Sequence, residues 1–299
     1  MVCSDSRPLW RFGLALWFVL WVLQADTLCA EPQRLTFDGV LKMAAGFADR
    51  GEGVVFSTHE EPTRVSMMRL SLSDGHLEPV DSALTAHQWD ATVSADGRYL
   101  CFVLTYTSPQ SILVIRDTQQ GTEARFIPTD PRGTVRCPQI SAHQQRVIFS
   151  VSDPGGQQIA SVDLAGGNLQ RLTDSPGNNL WPAISPDSSH IAFSSSREGP
   201  LNLYVMHADG SHVRRLTSQP LRDMRPAWSP SGKQIAFTSA RDGNPEIYVV
   251  NADGTGLRRL TSHPDRDDYP AWHPDGRRLL IISERAGDSD LYLLDVPEE

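Results

Sequence analysis

An all-β fold, a six-bladed β-propeller of four-stranded antiparallel blades, follows from three observations. The first is a repeat. Pro182-Ala183-Ile184-Ser185-Pro186 returns as Pro226-Ala227-Trp228-Ser229-Pro230 and as Pro270-Ala271-Trp272-His273-Pro274, each block 44 positions after the last (226−182, 270−226). A period of about 40–45 residues is the signature of propeller blades, units too thin to bury their own faces. The second is a series of apolar anchors, Phe56, Phe102, Phe149, Phe193, Phe237 and Ile281, spaced by 46, 47, 44, 44 and 44 positions. Six anchors predict six blades. The third is the turn chemistry between them.

Within each blade the expected first and second strands are separated by turn residues. These are Asp49-Arg50-Gly51, Asp96-Gly97, Ala142-His143-Gln144, Asp187-Ser188, Ser231-Gly232 and Asp275-Gly276. A second turn precedes the fourth strand at Asp74-Gly75, Gly166-Gly167, Asp209-Gly210 and Asp253-Gly254. Such pairs supply the positive φ angles that tight hairpins need, so these aspartates are read first as turn formers. Runs such as Val147-Ile148-Phe149 and Ile191-Ala192-Phe193 are apolar throughout, as expected of strands covered on both faces. The fourth strands, built on Arg215-Leu216-Thr217 and Arg259-Leu260-Thr261, are more polar and belong at the outer rim. The sixth blade lacks its own copy, because Arg259 plus one period falls beyond Glu299. Arg34-Leu35-Thr36 stands near the other end of the chain. The N-terminal strand is therefore expected to complete the last blade, which closes the ring and removes exposed edges.

Residues 1–30 are expected to be a secretory signal peptide, and 31–299 a single propeller domain. Arg7 precedes an apolar run from Leu9 to Leu23, and Ala30 offers a small residue for cleavage. The run is short for a spanning helix, so no stable membrane span is expected after cleavage, and the location is periplasmic or secreted. The net charge of −9 is unchanged by removing residues 1–30, which takes two charges of each sign, Arg7 and Arg11 with Asp5 and Asp26. An acidic whole argues against a nucleic-acid partner. Cys101 and Cys137 then remain and are read as unpaired, Cys101 at a small buried strand position.

Blades 4 and 5 carry Ile-Ala-Phe-(Ser/Thr)-Ser and Ala-Asp-Gly before Arg-Arg-Leu-Thr, blade 5 has an Asn-Pro-Glu-Ile-Tyr-Val third strand, and blade 6 keeps looser copies, Leu279-Leu280-Ile281-Ile282 and Leu291-Tyr292-Leu293. In these elements the chain resembles the propeller repeats of the TolB family; blades 1–3 keep only the skeleton. Trp89-Asp90 is not a WD-repeat dipeptide, since it precedes a first strand and aligns with Arg225 and Tyr269. The resemblance implies a cell-envelope protein, with a peptidoglycan-associated lipoprotein as the partner at the propeller's mouth. TolB's mixed α/β domain and the N-terminal segment that engages TolA have no expected counterpart here, so the TolA contact is not implied.

Candidate binding residues come from the loops expected to enter the first strands of blades 4 to 6. They are Asn179 and Trp181, then Arg222, Asp223 and Arg225, then Arg266, Asp267, Asp268 and Tyr269. Aromatics and arginines among aspartates suit a protein interface. The competing reading is solvated loop charge with a few blade-to-blade pairs. Asp223, Asp267 and Asp268 also raise Ca²⁺ at the channel mouth, but no loop shows the oxygen spacing of a dedicated calcium loop, so no cofactor is expected. Neither Gly-x-Ser-x-Gly nor His-Glu-x-x-His occurs, and the nine histidines are scattered. The sequence thus favours a monomeric, non-catalytic interaction module over its alternative, a propeller lyase or hydrolase acting on a polysaccharide or peptide.

Overall fold

The computed structural model describes residues 31–297 apart from 62, 107–108 and 142, so the expected signal peptide lies outside the described residues. Six four-stranded antiparallel sheets stand around an axis. Five have their strands in chain order, and the sixth is completed from the N-terminus. The innermost strands are Lys42–Ala48, His87–Val93, Val135–Ser141, Asn179–Ile184, Asp223–Trp228 and Asp267–Trp272. Among the described residues the sole helical element is one 3-10 turn, Asp49–Gly51.

The six anchors lie on the second strands and each is 0% exposed. They fill the spaces between blades rather than within one. Ala192, Leu203 and Val205 of blade 4 pack with Ile235, Phe237, Tyr248 and Val250 of blade 5 in one cluster. Burying each such side chain contributes about 1.5–3 kcal/mol. The tryptophans of the Pro-Ala-Trp repeats add a directional tie to this packing. Trp228 Nε1 donates to the Ala183 carbonyl at 3.1 Å, and Trp272 Nε1 to the Ala227 carbonyl at 3.2 Å, each reaching back one blade. In the Asp-Gly turn of blade 4, Gly210 sits at φ +89°, and a Cβ there would stand 2.6 Å from the Leu172 carbonyl oxygen of blade 3. Only glycine fits that approach.

Ring closure occurs as expected. Gln33–Arg34 pairs antiparallel with the last strand, Gln33 opposite Leu293 and Arg34 opposite Tyr292, and the Leu35 amide donates to the Leu291 carbonyl at 2.8 Å. The Arg-Leu-Thr motif is a bonding unit that explains its own recurrence. Its arginine Nε turns back to the threonine carbonyl, at 2.9 Å for Arg34, 2.8 Å for Arg215 and 2.6 Å for Arg259. Its threonine hydroxyl accepts a third-strand amide at 3.0 Å, from Leu203, Ile247 or Leu291. In blade 6, Thr36 Oγ1 also donates to buried Asp290 at 2.5 Å, and Arg34 Nη2 pairs with the same carboxylate at 2.5 Å. The N-terminal copy therefore does across 254 positions what the other copies do within one blade.

Candidate functional site: the channel mouth

Every innermost strand breaks register once, placing two of its residues opposite one on the second strand. The first residue of each bulge is left-handed: Ala44 (φ 49°), Asp90 (53°), Cys137 (53°), Trp181 (51°), Arg225 (53°) and Tyr269 (56°). None is glycine, although an L-residue in this conformation costs about 1–2 kcal/mol. In blades 3 to 6 the second bulge residue is Pro138, Pro182, Pro226 or Pro270, a position the ladder leaves unpaired and where a missing N–H costs little. Bulges of this kind re-aim a side chain. Here all six line one cavity of about 340 Å³ on the channel axis.

Two polar constellations flank that cavity. On one side the Arg225 guanidinium lies between two aromatic rings, 4.7 Å from the Trp181 centroid and 4.1 Å from that of Tyr269. Its Nη1 donates to Asp268 Oδ1 at 3.1 Å and its Nη2 to the Tyr269 hydroxyl at 3.2 Å, while its buried Nε has no partner. Asp268 is itself buried and also accepts from Thr238 Oγ1 (2.7 Å), the Tyr269 amide (2.8 Å) and Arg266 Nε (3.1 Å). Burial pushes the Tyr269 phenol above its ordinary range, so it stays protonated. On the other side Arg136 Nε donates to Asp90 at 2.6 Å, and the Cys137 amide donates to the same carboxylate at 3.0 Å. Burial, with the Asp90 charge behind it, pushes the Cys137 thiol well up. A thiol so held is a poor nucleophile.

The candidate residues separate into three groups. Trp181, Arg225 and Tyr269 meet at the channel, with Asp268 and Arg266 supporting Arg225 from below. Arg222 is exposed on the preceding loop. Asn179, Asp223 and Asp267 are each 0% exposed and face inward. Each is latched by an arginine 18 positions later: Arg197 to Asn179 at 2.9 Å, Arg241 to Asp223 at 3.1 Å and Arg285 to Asp267 at 2.7 Å. All these residues except Arg222 and Arg266 belong to the innermost strands rather than to the entering loops where the sequence places them. Asp90, Arg136 and Cys137 are absent from the sequence-derived set. The alignment of Asp90 with the Arg225 register was their signal, but it lacks the surrounding motif. Among the described residues no group of three or more His, Cys, Asp or Glu side chains is disposed to hold a metal ion.

Comparison with known proteins agrees with this fold. The family described as TolB beta propeller domain matches residues 85–225, and the tricorn protease N-terminal beta propeller domain matches 208–295. No curated protein matches the chain in sequence. Among solved structures, a putative TolB from Agrobacterium tumefaciens is similar at 22% identity and a TM-score of 0.67, covering 87% of this chain and 91% of that one. TolB from Acinetobacter baumannii is similar at 18% identity and a TM-score of 0.67, over 84% of this chain and 66% of that one. An oligogalacturonate lyase from Vibrio parahaemolyticus shares the fold at 15% identity and a TM-score of 0.57, over 89% of this chain and 93% of that one.

Proposed function

The chain belongs with the TolB-type β-propellers, and on that premise we propose that it is a non-catalytic docking module of the cell envelope, receiving a protein partner at the channel mouth. The observation that carries this reading is the Trp181–Arg225–Tyr269 stack. Arginine and large aromatics dominate the energetics of protein interfaces, above all where they are rigid and central. Here the guanidinium is fixed by two rings, Asp268 and the Tyr269 hydroxyl before any partner arrives. Preorganisation of that kind lowers the ordering cost of binding. The strained backbone at all six bulges fits the same role, since strain persists where the surrounding structure over-determines it and the side chain has a use.

The partner proposed is an envelope protein, with a peptidoglycan-associated lipoprotein as the first candidate, and the location proposed is the periplasm. The test is a calorimetric titration of the purified propeller with that lipoprotein. W181A and R225A are each expected to weaken binding by about 1–3 kcal/mol; W181A should keep a melting temperature close to that of the parent, whereas R225A also lowers it by taking a partner from buried Asp268. Equal affinity in the parent and both variants would remove the channel mouth from the interface. Asp223 and Asp267 are unsuitable probes, because alanine there opens a buried latch and reports on folding.

A further inference from the structure

The cavity on the channel axis carries a charge arrangement that docking of a protein at the mouth leaves unused. Of the residues lining it only two are charged, Asp90 and Arg225. They belong to blades 2 and 5, which face each other across the ring of six. Arg136 stands behind Asp90 and Asp268 behind Arg225, both outside the lining. Each member of the pair keeps one polar atom in reserve. Asp90 Oδ2 accepts from Arg136 Nε at 2.6 Å and from the Cys137 amide at 3.0 Å, whereas Oδ1 has only the longer Arg136 Nη2 contact at 3.3 Å. The Arg225 Nε is buried without a partner. Buried N–H groups are nearly always hydrogen-bonded, so this one, beside a cavity, points to an acceptor that enters it.

Around that pair the lining is apolar and stiff. On the way in from the mouth the six bulge residues are followed by Ala45, Ala91, Pro138, Pro182, Pro226 and Pro270, all of which line the cavity. Proline fixes its own φ, so the wall is formed before any ligand arrives, as small-molecule sites usually are. The volume of about 340 Å³ stands near the lower end of the range for such sites, room for one or two amino-acid residues rather than a folded partner. Space is also left on the blade 1 side. Gly46 lines the cavity, and a Cβ built there meets nothing within 4 Å. At its register the other blades carry Thr92, Gln139, Ala183, Ala227 and Ala271, so the position does not require glycine.

We propose that this cavity binds a free zwitterion, an amino acid or dipeptide with an apolar side chain. The ligand carboxylate accepts from Arg225 Nε, its ammonium donates to Asp90 Oδ1, and its side chain lies among the prolines and alanines deeper in the channel. One donor and one acceptor of opposite charge, set on opposite walls, select a molecule that carries both ends. Hydrogen bonds of this charge-assisted kind are the strong ones, and the apolar wall adds burial. The site shares Arg225 with the docking surface but does not rest on a protein partner.

The test is calorimetric titration of the chain with L-phenylalanine and glycyl-L-phenylalanine, beside their N-acetyl and C-terminal amide forms. The parent is expected to bind one zwitterion per chain, and each blocked form to bind about tenfold or more weakly, because it lacks one charged end. D90N is expected to lose about tenfold for the zwitterion and nothing for the N-acetyl form. G46F, which fills the open space beside blade 1, is expected to abolish uptake while melting near the parent, so the test survives a D90N variant that folds poorly. No heat with either zwitterion, blocked forms bound equally well, or unchanged uptake by G46F would overturn the proposal. Titration of G46F with the lipoprotein separates this site from the docking function, since partner affinity is expected to be unchanged. Zwitterion uptake by a parent that binds no lipoprotein would strike the docking reading and leave this one standing.

Discussion

Blades 4 to 6 and blades 1 to 3 fill one buried position in two ways. In the later blades the residue that opens the channel strand is Asn179, Asp223 or Asp267, each gripped by an arginine that also lies over blade aromatics. Arg197, for example, is 4.9 Å from the Tyr204 ring centroid, and Arg241 is 4.7 Å from that of Tyr248. At the same register blades 1 to 3 carry Lys42, Gln88 and Val135, also fully buried. Val135 needs no partner. Gln88 donates to the Asp81 carbonyl at 3.1 Å but leaves its Oε1 unpaired. Lys42 reaches across the ring junction to Asp290 at 3.2 Å. What repeats strictly in sequence is thus a polar network with demanding geometry. The apolar core tolerates any residue of suitable size, so the early blades keep the shape after losing the motif.

The contrast can be broken most forcefully where blade 1 meets blade 6. Removing Gln33–Phe37 strips Thr36 and Arg34 from buried Asp290 and leaves it Lys42 alone among these three partners. D290A alone is expected to cost about 3 kcal/mol, because it takes one of two ion-pair partners from buried Lys42, which keeps Asp38. In a chain of this size that lowers Tm by on the order of 10 °C, read by scanning calorimetry; the deletion should cost more. Cooperative melting unchanged by the deletion would mean that the junction does not hold the ring.

The same carboxylate sets an acid limit. Burial would raise the Asp290 pKa, but hydrogen bonds from Thr36, Arg34 and Lys42 outweigh it and hold the group below the usual carboxylate range. A depressed folded pKa gives stability that is present above the unfolded value, about 4, and is lost as pH falls through the folded one. D290N should flatten that limb of the stability–pH curve, as followed by thermal melts between neutral and acid pH. A limb of unchanged steepness would place the acid sensitivity elsewhere.

The smallest effect separates the latches from one another. Asp223 meets Arg241 through both oxygens at 3.1 Å, whereas Asp267 Oδ1 has no hydrogen-bond partner. Burial pushes the Asp267 carboxyl up, and its bonds to Ser283 and Arg285 only partly counter this. A raised carboxyl pKa works in the opposite direction from Asp290: its contribution is present below the unfolded pKa and is lost as pH rises through the folded one. D267N, which installs the residue blade 4 uses at this register, is expected to raise Tm at neutral pH by about 1–3 °C, with the gain shrinking toward pH 4. A loss of stability on D267N would show that the charged latch is needed as it stands.

The sequence by itself determined the number of blades, their anchors and the joining of the two ends, because these rest on short-range periodicity and on counting copies of one motif. Phe56 through Ile281 and Arg34-Leu35-Thr36 needed no knowledge of which residues meet in space. Only the tertiary structure decided which polar side chains are available to a partner. Asp223 and Asp267 read as loop charges, yet they are buried because their arginines return 18 positions later, across a hairpin. Asp90 and Arg136 are paired from neighbouring blades. The six left-handed bulges turn Trp181, Arg225 and Tyr269 toward the axis, which strand alternation does not encode. Burial of a charge depends on partners distant in the chain, and that distance is set by the fold.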